Sequence, residues 1–143
     1  QPLELTVAEI FDHLQIKALK DFDEEPVLAG GPVQIDHGFV LHRAMDAEWE
    51  ASIKVTDEIT LTTSRDVLRA IANGTGPEEH LIALGYAGWS PGQLEQELAQ
   101  NSWLTLPADS DIIFATPCEQ RLSAAAAQLG IDMNLISGQA GHA

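Results

Sequence analysis

The stretch "HLIALGYAGWSPGQLEQEL", residues 80–98, joins an apolar run to a Gly-Trp-Ser-Pro-Gly corner and then to a polar, helix-forming segment. The run lacks polar alternation, which predicts a strand covered on both faces at the centre of a sheet. Burial of Leu81, Ile82 and Leu84 there contributes about 1.5–3 kcal/mol each. The corner, residues 88–92, matches G-x-S-x-G, the nucleophile elbow of hydrolases, in the strand-to-helix context that motif requires. Whether Ser90 is a nucleophile or a structural residue decides how the rest of the chain is read.

Three physical arguments favour structure. An elbow builds its oxyanion hole from the backbone N–H of the residue after the serine. Here that residue is Pro91, which has no N–H. Loss of one such donor typically costs about 3–4 kcal/mol of transition-state stabilisation. The acid and base should then follow in the order Asp or Glu, His, yet the only histidine after Ser90 is His142, in a terminal "GQAGHA" expected to fray. Finally, Ser90 at the N-cap, Pro91 at N1 and Gln93 at N3 spell a helix start from Pro91 to about Gln100, with Trp89 and Leu94 as a hydrophobic staple. A helix N-terminus also offers unpaired N–H groups, so Trp89, Ser90 and Gln93 are candidate contacts for a small anion.

Outward from this corner the chain alternates strands and helices. Thr6 and Glu9 form a capping box for a helix whose Val7, Ile10, Phe11 and Leu14 share one face. "VLAGGPVQIDHGFVLH" predicts a strand, a bend at Gly30-Gly31-Pro32, and a strand from Phe39 to His42. Alternation over Ser52–Val55 and Ile59–Thr62 suggests antiparallel strands. Thr63 or Ser64 caps a second helix that buries Val67, Leu68 and Ile71 and stops at Asn73-Gly74. "WLTLP" and "DIIFA" read as two further short strands. Thr116 with Glu119, and Pro117 at N1, then open a helix that runs to Gly130.

The charge restricts the partners. Asp and Glu number 22 against 7 Lys and Arg, a formal charge of −15 over 143 residues. Such a field repels a phosphate backbone, and the basic residues form no stripe, so direct nucleic-acid binding is not expected. No run reaches the length of a membrane span. Cys118 is the single cysteine, which excludes an internal disulfide and fits a reducing cytosol. It falls near the start of the last predicted helix, where the dipole and Arg121 would favour its thiolate. It and Ser90 are the two residues on which a hydrolase reading would rest. Asp36, His37 and His42 invite a metal reading, but an extended strand puts the two histidines on opposite faces, about 16 Å apart. His13 and His80 have no spaced partner, and no metal or cofactor is expected. "AGGPV" lacks the spacing and the lysine of a nucleotide-binding loop.

Taken together, "AGGPVQ" at 29–34, "GFVLH" at 38–42, "LGYAGWSPGQLEQEL" at 84–98 and "NSWL" at 101–104 resemble the YqgE/AlgH family of bacterial proteins (UPF0301, DUF179). The resemblance spans nearly the whole chain. It implies an α+β fold with a strongly curved, barrel-like sheet flanked by helices, in a cytoplasmic protein of no established activity. Some members carry the label of transcriptional regulator. Family members begin several dozen residues earlier, so the resemblance also implies a missing N-terminal segment and an exposed sheet edge open to pairing.

The resulting expectation is a single α+β domain over 1–143, its sheet mostly antiparallel, with about four helices and a flexible tail over 137–143. It acts by binding a small anion or a protein partner, not by catalysis. The residues expected to line a pocket are Gly30, Gly31, Pro32, Trp89, Ser90 and Gln93, on the assumption that the two glycine corners adjoin. The competing readings are a hydrolase and a direct DNA-binding regulator.

Overall fold

The computed structural model describes residues 1–137. The chain forms two compact units, one over Gln1–Gly88 and the other from Trp89 onward.

The first unit holds the sheet. Its strands are β1 (Pro2–Thr6), β2 (Pro26–Ala29), β3 (Val33–Arg43), β4 (Ser52–Lys54), β5 (Ile59–Thr62) and β6 (His80–Tyr86). They lie in the order β1-β2-β6-β3-β5-β4. β6 pairs parallel to β2 and antiparallel to β3, so the apolar run at 80–86 is an interior strand, as its composition requires. The remaining pairs are antiparallel. β1 and β4 occupy the two edges and do not pair with each other, so the strand order is open and does not close as a barrel would.

Two helices cover this sheet, α1 (Val7–His13) and α2 (Arg65–Ala72). Thr6 caps α1, and Glu9 returns the bond to the Thr6 amide at 2.8 Å, completing the capping box. Val7 and Phe11 from α1, and Val67 and Ile71 from α2, pack with Val27, Val40 and Ile82 of the sheet to form the core. Phe22 meets Phe11 edge to face at 5.0 Å. Asn73 closes α2 and Gly74 takes φ +73°, the left-handed angle that lets a helix stop.

Gly30 and Gly31 do not make a hairpin, because β6 lies between β2 and β3. The chain instead steps across the end of β6. Gly30 donates its N–H to the Leu84 carbonyl at 2.8 Å. A Cβ on Gly30 would lie 2.1 Å from the Gly85 oxygen, and one on Gly31 would lie 2.2 Å from the Tyr86 carbonyl carbon. Only glycine fits so close a crossing. β3 is also longer than Phe39–His42. Its register against β6 breaks between Val33 and Gly38, where residues 34–37 bulge out and Gln34 takes φ 45°.

The second unit comprises α3 (Gln93–Ala99), a π-helical turn over Asp111–Ala115, α4 (Cys118–Gln128) and α5 (Met133–Ser137). Three expectations are corrected here. "DIIFA" is that π turn and not a strand: the Asp109 carboxylate accepts the Asp111 and Ile112 amides, and Thr116 Oγ1 donates to the Asp111 carbonyl. "WLTLP" has no regular structure. With Thr116 so engaged there is no capping box at α4; Pro117 is its N-cap and Cys118 its first residue. Among the described residues the helical segments therefore exceed the roughly four read from the sequence. Ser137 closes α5, and the rest of the tail expected at 137–143 lies outside the described residues.

Candidate functional site

A cleft of about 270 Å³ opens in the first unit between α1, α2 and the β3 bulge. Its apolar lining comes from Ile10 of α1 and Leu14 just after it, Leu68 of α2, and Val40, Ile82 and Leu84 of the sheet. His13, the bulge residues Asp36 and His37, and Thr63 with Arg65 supply the polar lining. Arg65 is one of only seven Lys and Arg residues in the chain. The bulge is what brings His37 here, while His42 faces the core, 1% exposed.

His42 has its own partners. Its Nδ1 lies 2.9 Å from the Arg43 carbonyl and its Nε2 lies 2.9 Å from Thr62 Oγ1, which is 2.8 Å from Ser52 Oγ. Among the described residues no group of three or more His, Cys, Asp or Glu comes together.

The N-terminus of α2 borders the cleft, but a carboxylate already occupies it. Asp66 accepts the Val67 amide, the Ser64 hydroxyl and the Glu50 amide. Burial pushes the Asp66 carboxyl up, yet these bonds outweigh it and hold its pKa below the usual range. Arg65 and the imidazoles, not the helix end, therefore provide the donors of the cleft.

The corner at 88–92 is a tight turn. Ser90 accepts the Gln93 amide on its carbonyl at 2.9 Å, and Gly92 has φ 80° and ψ −9°. Pro followed by left-handed Gly is the signature of a type II turn. α3 thus begins at Gln93, two residues after the position expected, and Ser90 does not cap it with its side chain. Half of the expected box survives, since the Ser90 amide donates to Gln93 Oε1 at 3.0 Å.

Trp89 makes a polar contact that the sequence does not announce. Its indole donates to Glu97 Oε2 at 3.1 Å, and Trp103 donates to the same oxygen at 2.7 Å. Gln93 Nε2 donates to the other oxygen at 3.1 Å. The bonds from Trp103, Trp89 and Gln93 hold the Glu97 carboxyl below its ordinary pKa. The two indoles meet edge to face, 5.9 Å apart at 72°.

This cluster joins "GWSPGQLEQE" to "NSW" through a single carboxylate. The AlgH-like family model matches residues 1–134. The chain belongs to the AlgH-like family. A UPF0301 protein of Saccharophagus degradans is 54% identical over 143 residues, which is all of this chain and 70% of that protein. Another, from Thioalkalivibrio sulfidiphilus, is also 54% identical, with 76% of it covered. The solution structure of AlgH from Pseudomonas aeruginosa superposes with a TM-score of 0.77 at 50% identity, over 100% of this chain and 76% of that one. A Corynebacterium diphtheriae protein at 14% identity shares the fold, with a TM-score of 0.68 over 89% of this chain and 66% of its own.

In this AlgH-like chain the residues expected to line a pocket have the following places. Gly30, Gly31 and Pro32 lie in the first unit, and the Gly30 amide is bonded within the sheet. Trp89, Ser90 and Gln93 lie in the second, with their donors bonded to Glu97 and Gln93. Cys118 is a free thiol, half-buried at the start of α4. Sequence reading missed His13, His37 and Arg65 because only the bulge and the packing of two helices bring them together. It missed Glu97 as well, although Gln93 and Glu97 are one helical turn apart and so share a face.

Proposed function

We propose that this member of the AlgH-like family works by binding and not by catalysis, and that the cleft between α1, α2 and the β3 bulge takes a small ligand with an apolar body and an anionic head. The observation that carries this reading is the lining of the cleft. In a chain of net charge −15, it sets an arginine and two histidines, with Asp36 beside them, around an apolar floor. Arg65 would meet the head, and Ile10, Leu68 and Ile82 the body. The glycine corner at 30–32 supports this role indirectly, by fixing where β3 starts and hence where its bulge stands.

A non-catalytic reading is also supported at Ser90. Its carbonyl and amide are both committed to a turn, and Pro91 supplies no oxyanion donor. Any influence on transcription would run through the ligand or a protein partner, because the scattered cations offer no footprint for a phosphate backbone. Among the described residues no helix is long and apolar enough to cross a membrane; the lone free thiol suits a reducing cytoplasm.

The test is a calorimetric titration with short-chain carboxylates such as hexanoate and benzoate, with inorganic phosphate as the head-only control. Saturable binding of a carboxylate that is weakened at least tenfold by Arg65→Ala supports the cleft. A flat titration with every probe removes it. A promoter-binding assay at low salt that shows a tight complex would restore the DNA-binding reading.

A further inference from the structure

Trp89 and Trp103 stand nearly perpendicular and are 39% and 48% exposed, respectively. Two perpendicular rings in edge-to-face contact leave an inner corner, in which a bound group touches both π faces. The backs of these indoles are fixed. Each N–H is tied to the same Glu97 oxygen, so neither ring turns without breaking a bond to a carboxylate. Gln93 takes up one position on the other oxygen. A carboxylate offers about four acceptor positions, so three donors leave one unfilled. The indole N–H groups and the Gln93 side-chain amide are directed at Glu97, so the corner presents ring faces and not these donors.

We propose that the Trp89–Trp103 corner is a site for an organic cation, a quaternary or alkylated ammonium group, seated against both indole faces beside the Glu97 carboxylate. Ring faces carry negative quadrupole potential, and a soft, weakly hydrated cation sheds its water there more easily than a metal ion does. The charge of −15 raises the local concentration of any cation. The site is independent of the cleft, which lies wholly in the other unit.

The experiment is a titration of the whole chain with tetramethylammonium chloride, replacing potassium chloride at constant ionic strength and read from the indole N–H resonances. Trp49 lies outside the corner, packed against the core, and serves as the internal control. The expected result is a saturable shift of the Trp89 and Trp103 signals, with half-saturation at about 1–50 mM and Trp49 unmoved. Trp103→Leu should weaken binding about two- to fivefold, the worth of one exposed ring face. Trp89→Phe keeps a smaller aromatic face while losing the N–H, so its titration should still saturate. Shifts that do not saturate, or that appear equally at Trp49, would overturn the proposal. So would a Trp103→Leu protein that keeps a folded spectrum and full affinity.

Discussion

Gly31 and Gly85 meet backbone to backbone: a Cβ on Gly85 would lie 2.4 Å from the Gly31 carbonyl oxygen. Gly85 also has φ +74°, so it carries both a conformational and a steric demand. Gly74 has φ +73° but nothing within 4 Å of its would-be Cβ, and Gly38 has neither constraint. The three alanine variants therefore separate the two costs. In urea denaturation Gly38→Ala should be neutral within about 0.5 kcal/mol, and Gly74→Ala should lose about 1 kcal/mol. Gly85→Ala should lose roughly 3 kcal/mol or more, or fail to fold, because its obstacle is backbone that cannot turn aside.

His80 sits between two oxygen partners. Its Nδ1 is 2.8 Å from the Pro77 carbonyl and its Nε2 is 2.5 Å from a Glu25 carboxylate oxygen. A carbonyl and a carboxylate are both acceptors, an arrangement that favours the charged imidazolium. Burial pushes the imidazole down, but the hydrogen bond and charge of Glu25, with the Pro77 carbonyl, prevail and raise its pKa. A raised folded-state pKa means stability that is fully present below the ordinary imidazole value of about 6.5. That stability is lost as pH climbs through the folded value. The wild type should lose stability to urea across that window. Glu25→Gln should cost about 1–2 kcal/mol at pH 6, less at pH 8.5, and flatten the pH dependence.

Ser90 is expected to be dispensable. Its structural contribution runs through its main-chain carbonyl and amide, which an alanine retains. Ser90→Ala should change stability by less than about 0.5 kcal/mol, whereas Gly92→Ala, at φ 80°, should cost about 1 kcal/mol. A fluorophosphonate probe should leave the wild-type serine unlabelled. Stoichiometric labelling at Ser90 would contradict the binding-only reading.

Why these features were legible to different degrees follows from the range of the forces. The capping box at Thr6, the apolar face of α1, the stop at Asn73-Gly74 and the interior position of β6 are local or compositional signals, and each is in the structure. The bulge at 34–37 is set by how β3 must pass β6, a relation between residues some fifty positions apart, so no window of sequence shows it. The cleft depends on that bulge and went unread with it. "DIIFA" misleads because its β-branched residues favour a strand, while Asp109 and Thr116, just outside it, bond its backbone into a helical turn.

The polar chain from Arg43 to Ser52 fixes a tautomer and yields the last prediction. The Arg43 carbonyl can only accept, so His42 Nδ1 carries the proton. In the neutral ring Nε2 is then the acceptor, taking the Thr62 hydroxyl proton, and Thr62 in turn accepts from Ser52. Nitrogen-15 shifts should report a protonated Nδ1 and a bare Nε2 at pH 8. Thr62→Val keeps the shape but strands Nε2 in a site with 1% exposure. It should cost about 1–3 kcal/mol. Ser52→Ala removes a donor at an exposed edge and should cost well under half of that. Nitrogen-15 shifts that show a bare Nδ1 and a protonated Nε2 would reverse the order of donors along the chain.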